Sequence, residues 1–131
     1  MKRISVIIPV YNVISLHKPV SNIFDKYIES SILVLTSRCE TFGLVLPEAM
    51  SCGLPVVSFS GYGPSEIITD GKDGFLIPNY DTDKFAEKLS LLMDDEDLRS
   101  EMGNAAIESS QKYDAEHIIP QWMKLFESLK K

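Results

Sequence analysis

The chain has 131 residues and a formal charge of −6 at neutral pH, long enough for one domain that buries roughly 68% of its unfolded surface. With no basic cluster in so acidic a sequence, binding to nucleic acid or to anionic lipid by simple electrostatics is excluded. It has no run of eighteen apolar residues and no charged-then-apolar leader with a small-residue cleavage site, so neither a membrane span nor secretion is expected, and the cytoplasm is the default compartment.

In chain order, residues 4–10 are a continuous apolar, β-branched run, the pattern of a parallel strand buried on both faces, with Pro9 limiting its far end. A short strand over 13–16 follows. Residues 20–30 carry Ile23, Phe24, Tyr27 and Ile28 at helical spacing, with Ser21 as the expected N-cap. Strands are expected over 31–36, 55–59 and 74–77. Beyond Pro78 the pattern turns helical: 81–93, capped by Asp81 with Phe85, Leu89 and Leu92 inward, then 95–111, then 115–130. The acidic run 94–97 reads as a helix N-terminus in solvent. This alternation gives an α/β fold class: a single domain over 1–131 with a mostly parallel, doubly wound sheet, helices on both faces and a helical C-terminal segment.

The densest chemistry lies in residues 37–66, S-R-C-E-T-F-G-L-V-L-P-E-A-M-S-C-G-L-P-V-V-S-F-S-G-Y-G-P-S-E. Pro47 lacks a backbone N–H and fits only the first turn of a helix, so a helix must begin just before it, between Gly43 and Leu46. Glu48 then stands near a helix N-terminus, and Glu40 in the loop that leaves the preceding strand. Both border the crevice at the carboxyl end of the sheet, where open α/β sheets bind ligands. The amides of Thr41, Phe42, Gly43 and Leu44 are the unpaired donors of the helix start and suit a phosphate or diphosphate. Gly43 has no β-carbon to hold a ligand off. Anion-binding amides between two carboxylates suit a ligand with phosphates in its middle and hydroxyls at its ends, as in a nucleotide-sugar. Taken singly, each acid also fits a plain structural role: a first-turn Glu gains a few tenths to about 1 kcal/mol from the helix dipole, and Glu40 suits a solvated loop. The ligand role rests on their combination with the glycine turn. A second glycine turn, residues 61–66, opens another helix with Pro64 in its first turn and reads equally as a tight turn or as a second wall of the crevice.

The pair Glu40 and Glu48 around Phe42-Gly43, then Glu48-Ala49-Met50, Gly53-Leu54-Pro55-Val56-Val57, Glu66-Ile67-Ile68 and Asp70-Gly71-Lys72-Asp73-Gly74, resembles the donor-binding half of the retaining glycosyltransferases of family 4, which have the GT-B fold. The resemblance runs from about Ile14 to the C-terminus. It implies a Rossmann-like domain in which Glu40 meets hydroxyls of the donor sugar at the catalytic centre, Glu48 holds ribose hydroxyls, and the amides of 41–44 face sugar and diphosphate. The nucleotide-sugar is then a substrate, and neither a cofactor nor a metal is expected. In that family a second Rossmann-like half supplies acceptor contacts, and an upstream Arg/Lys pair neutralises the diphosphate; 131 residues are too few to hold either. Residues 1–12 instead resemble the first strand of glycosyltransferase family 2, which places a seam near Val13.

Several residues stand apart from that pattern. Arg38 is a candidate phosphate contact, although an arginine leaving a strand commonly pairs with a neighbouring carboxylate. Cys39 and Cys52 lack metal-ligand spacing and read as reduced, inert thiols; His17 and His117 read as structural. Ile119, Trp122, Phe126 and Leu129 form one apolar stripe on the last helix, which Pro120 would kink. In family 4 the corresponding helix crosses to the other half. Lacking that cover, the stripe leads to an expected homo-oligomer, most simply a two-fold dimer. The other functional class that fits is a non-catalytic remnant or interaction module pairing with itself or with a separate acceptor half.

Overall fold

The computed structural model describes residues 6–7, 21–37 and 39–130. Four strands, β1 (Val6–Ile7), β2 (Ile32–Leu35), β3 (Val56–Phe59) and β4 (Gly74–Ile77), pair in parallel in the order β1-β2-β3-β4. Three short helices make the crossovers: α1 (Ile23–Ile28), α2 (Val45–Ser51) and α3 (Tyr62–Ile67). Three longer ones follow: α4 (Thr82–Asp94), α5 (Glu96–Ser110) and, after a 3₁₀ turn at Gln111–Tyr113, α6 (Ala115–Leu129). The α/β class and the parallel, Rossmann-like sheet expected from the sequence are found.

Alternate strand residues feed two hydrophobic cores, as a sheet covered on both faces requires. Leu33, Leu35 and Val56 pack with Tyr27 of α1, Leu46, Ala49 and Met50 of α2 and Ile67 of α3. Ile32, Val34, Val57, Phe75 and Ile77 face the other way, onto Phe85 and Leu92 of α4 and Met102 of α5. Leu89 is half-buried on the same side. Helix α5 lies against the turn that ends α2, so closely that a β-carbon on Gly103 would stand 2.4 Å from the Gly53 carbonyl oxygen. Behind β4, Asp73 is fully buried; its Oδ1 accepts from the Thr69 N–H at 2.8 Å and its Oδ2 from the Ser109 hydroxyl at 2.6 Å, fastening the turn before β4 to α5.

Helix ends agree with the expected caps at Asp81, whose carboxylate accepts from Lys84 N–H, and at the start of α5, where Asp95 accepts from Leu98 N–H. The cap of α1 is corrected from Ser21 to Asn22: the helix starts at Ile23, and Asn22 Oδ1 accepts from Phe24 N–H at 3.2 Å, whereas Ser21 stands one residue too early to cap this start. Helix α1 is also shorter than the 20–30 expected from its periodicity. Helix α6 continues through Pro120 as one element. Val6 and Ile7 of the opening apolar run pair with Ile32 and Leu33 along the β2 edge; the rest of that run, the expected strand at 13–16 and His17 fall outside the described residues. No helix among the described residues is long and apolar enough to cross a membrane.

Candidate functional site

The loop leaving β2 and the start of α2 are shaped by one glycine. Gly43 adopts φ +85°, a left-handed conformation that side-chain-bearing residues avoid. Its bare Cα lets Glu40 fold across it: a β-carbon there would lie 3.0 Å from Glu40 Cγ and 3.2 Å from Leu46 Cδ1. The chain then enters α2 at Val45, with Leu46 N–H donating to the Gly43 carbonyl and Glu48 N–H to the Leu44 carbonyl. Pro47 falls in the first turn, as its missing N–H demanded. Among the described residues, no backbone carbonyl receives the amides of Thr41, Phe42, Gly43 or Leu44.

This loop is clipped to the start of α3. The Gly63 N–H donates to the Glu40 carbonyl at 3.2 Å, and a β-carbon on Gly63 would fall 2.2 Å from the Phe42 oxygen. The second glycine turn therefore serves close packing of one loop on another, and it brings the N-termini of α2 and α3 together at the carboxyl end of the sheet.

Beside α2 opens a cleft of about 350 Å³. Its apolar walls include Phe24 of α1, Phe42, Leu44 and Pro47; Glu48 supplies a carboxylate, and Tyr113, Asp114 and Ile118 close the far side. Phe42 meets Tyr113 edge to face, with ring centroids 5.6 Å apart, and the Tyr113 hydroxyl donates to the Glu66 carbonyl at 3.3 Å. Behind Glu48 stands Tyr27, only 2% exposed, whose hydroxyl donates to Glu48 Oε2 at 3.0 Å. Burial, helped by the adjacent Glu48 carboxylate, raises the Tyr27 ionisation well above its ordinary value, so the phenol remains a donor.

Of the residues singled out from sequence, the structure brings Phe42, Leu44 and Glu48 into this cleft. Glu40, half-buried over Gly43, and Thr41 and Gly43 are outside its lining. Arg38 is outside the described residues. Cys39 and Cys52 are free thiols. Among the described residues, no three His, Cys, Asp or Glu side chains are grouped as a metal would need. Phe24, Tyr27 and the 110–118 wall were not singled out as site residues. Their sequence signal was ordinary helical spacing, which marks a core position and says nothing of a cleft.

Residues 11–109 match the family described as Glycosyl transferases group 1. The chain belongs to that family. Among group 1 relatives and their neighbours, it is 40% identical over 99 residues to the poly(ribitol-phosphate) alpha-N-acetylglucosaminyltransferase of Staphylococcus aureus, covering 74% of this chain and 20% of that protein. It is 39% identical over 113 residues to an exopolysaccharide phosphotransferase of Streptomyces coelicolor, covering 85% of this chain and 12% of that protein. The crystal structure of Anabaena HepE in complex with UDP superposes with a TM-score of 0.75 at 28% identity, over 79% of this chain and 29% of HepE. The chain thus spans a fifth or less of the two curated relatives' length. The group 1 match begins at residue 11, upstream of the seam expected near Val13. Apart from Val6 and Ile7, residues 1–12 are not among the described ones, and their likeness to family 2 gains no support.

Proposed function

We propose that this chain is the nucleotide-sugar donor-binding half of a retaining GT-B glycosyltransferase of family 4. The observation that carries the proposal is the cleft at the start of α2, where the Glu48 carboxylate stands half-exposed beside the apolar walls of Phe42 and Leu44. A nucleoside offers such a cleft a flat ring for the apolar wall and a vicinal diol for the carboxylate. The UDP bound by the related HepE supports a nucleoside diphosphate in this role. Glu48 takes the ribose hydroxyls, Glu40 meets hydroxyls of the donor sugar, and the amides of Thr41, Phe42, Gly43 and Leu44 face sugar and diphosphate. Arg38 is a candidate phosphate contact. When the bond from the anomeric carbon to the diphosphate breaks, N–H donors aimed at the departing oxygens stabilise the charge, each by roughly 3 to 4 kcal/mol when well placed. No metal is assigned. The acceptor is bound by a second half, so the 131-residue chain binds donor weakly and transfers little by itself.

Calorimetric titration with uridine and guanosine diphosphates and their sugars tests this directly. Glu48→Ala is expected to weaken binding at least about tenfold, the loss that a single hydrogen bond to a charged group would give. Equal heats from both proteins would remove Glu48 from the ribose.

A second function is favoured by α6, which buries none of its residues and leaves Ile119, Trp122, Phe126 and Leu129 between 54% and 68% exposed. In that reading the chain pairs with itself or with a separate acceptor half through this face and binds no nucleotide. Absence of ligand heat together with a stable complex would favour it.

A further inference from the structure

We propose that Tyr27 is a positioning residue for Glu48: it fixes one carboxylate oxygen so that the other is presented to the ribose diol of the nucleotide. The proposal rests on the donor-binding function above and deepens it.

Four observations converge on Tyr27. Its side chain is almost wholly buried, and a buried hydroxyl must find a partner. The partner it finds is neither backbone nor a neighbour in sequence but the Glu48 Oε2, 21 positions away on another helix, at 3.0 Å. Phe24, itself in the cleft wall, meets the Tyr27 ring edge to face at 5.8 Å and 86°, which limits where the phenol can point. Among the described residues Glu48 Oε1 has no hydrogen-bond partner, so on a residue that lines the cleft one carboxylate oxygen is anchored and the other is free to accept.

The physical consequence is preorganisation. A free glutamate loses rotamer freedom each time it binds, whereas one held at Oε2 has already lost much of it on folding. A carboxylate aligned in this way accepts from two neighbouring hydroxyls at once, Oε1 taking one and the remaining lone pair of Oε2 the other. The benefit depends on both hydroxyls being present. Tyr27 should therefore affect how well the site distinguishes ribose from deoxyribose, beyond any effect on overall affinity.

The experiment compares uridine diphosphate with 2′-deoxyuridine diphosphate on the wild-type chain, Tyr27→Phe, Glu48→Ala and the double variant. The expected result is that Tyr27→Phe weakens uridine diphosphate about fivefold, the loss of one modest hydrogen bond, and moves the deoxy compound less than about twofold, narrowing the discrimination. In the Glu48→Ala background Tyr27→Phe then changes neither affinity, because its effect travels through the carboxylate. A merely structural tyrosine would weaken both ligands alike, or keep its effect without Glu48, and either result overturns the proposal. If the wild-type chain binds neither compound, the donor-binding function itself fails and the proposal with it. If it binds both and Tyr27→Phe matches it, only the role of Tyr27 fails. Should Tyr27→Phe not fold, a crystal of the wild-type chain soaked with uridine diphosphate decides: Tyr27 on Oε2 with ribose on Oε1 supports the proposal, and a broken Tyr27–Glu48 bond in the complex overturns it.

Discussion

The Tyr27 phenol has an ordinary ionisation at 10.0, and its burial, together with the Glu48 carboxylate, raises it in the folded chain. A group whose folded value lies above its unfolded one stabilises the fold fully below the unfolded value and loses that contribution as the pH rises through the folded one. Unfolding free energy is therefore predicted to fall as the pH climbs past 10. Urea titrations at stepped alkaline pH should show a shallower decline for Tyr27→Phe than for wild type. Gly63 gives a second prediction at this scale. A methyl there would meet the Phe42 carbonyl oxygen at 2.2 Å, a backbone atom with nowhere to go. Gly63→Ala should cost roughly 1 to 3 kcal/mol of stability, the usual toll of overpacking. Because the Gly63 N–H also holds the Glu40 carbonyl, the same variant should weaken nucleotide binding, which thermal unfolding and calorimetry measure separately. Neither contact could be read in the sequence. Pro47 fixed where α2 begins, and with it the place of Glu48, because a missing N–H is a local fact. The Tyr27–Glu48 and Gly63–Phe42 contacts join separate elements, and no spacing rule announces them.

Among the elements, α4, α5 and α6 lie within about a residue of their sequence-based bounds: α4 and α6 join clear helical spacing to an acidic cap or first turn, and α5 opens on the acidic run 94–97. The six-residue α1 was overextended at both ends: its apolar positions, Ile23 to Ile28, coincide with the helix, and the flanking residues assigned to it carry no helical spacing. The cleft depends on where the fold brings α1, α2 and the residues between α5 and α6, and a one-dimensional pattern does not carry that placement. Asp73 shows the same limit: it sits in the Asp70–Gly74 stretch that carries part of the family resemblance, but its bond to Ser109 of α5 spans 36 positions. Asp73→Ala should lower stability by about 1.5 to 3 kcal/mol, the range for hydrogen bonds to a charged acceptor, as measured by denaturant unfolding. Asp73→Asn, which keeps one acceptor oxygen, should lose less.

At the scale of the molecule, the apolar side of α6 remains uncovered. Trp122 and Phe126 stack at 5.6 Å on a helix with no buried residue. Exposed stripes of this kind drive association, so light scattering at tens of micromolar should give a mass above that of one chain. Phe126→Glu should return it to the monomer without changing nucleotide affinity; a wild-type monomer at that concentration would count against self-association. The strand order has a different consequence. Because each described strand lies beside the one made just before it, every crossover closes a short loop. Growth of this part of the sheet can keep pace with synthesis on the ribosome: each of the described strands after β1 emerges to find the strand it pairs with already made.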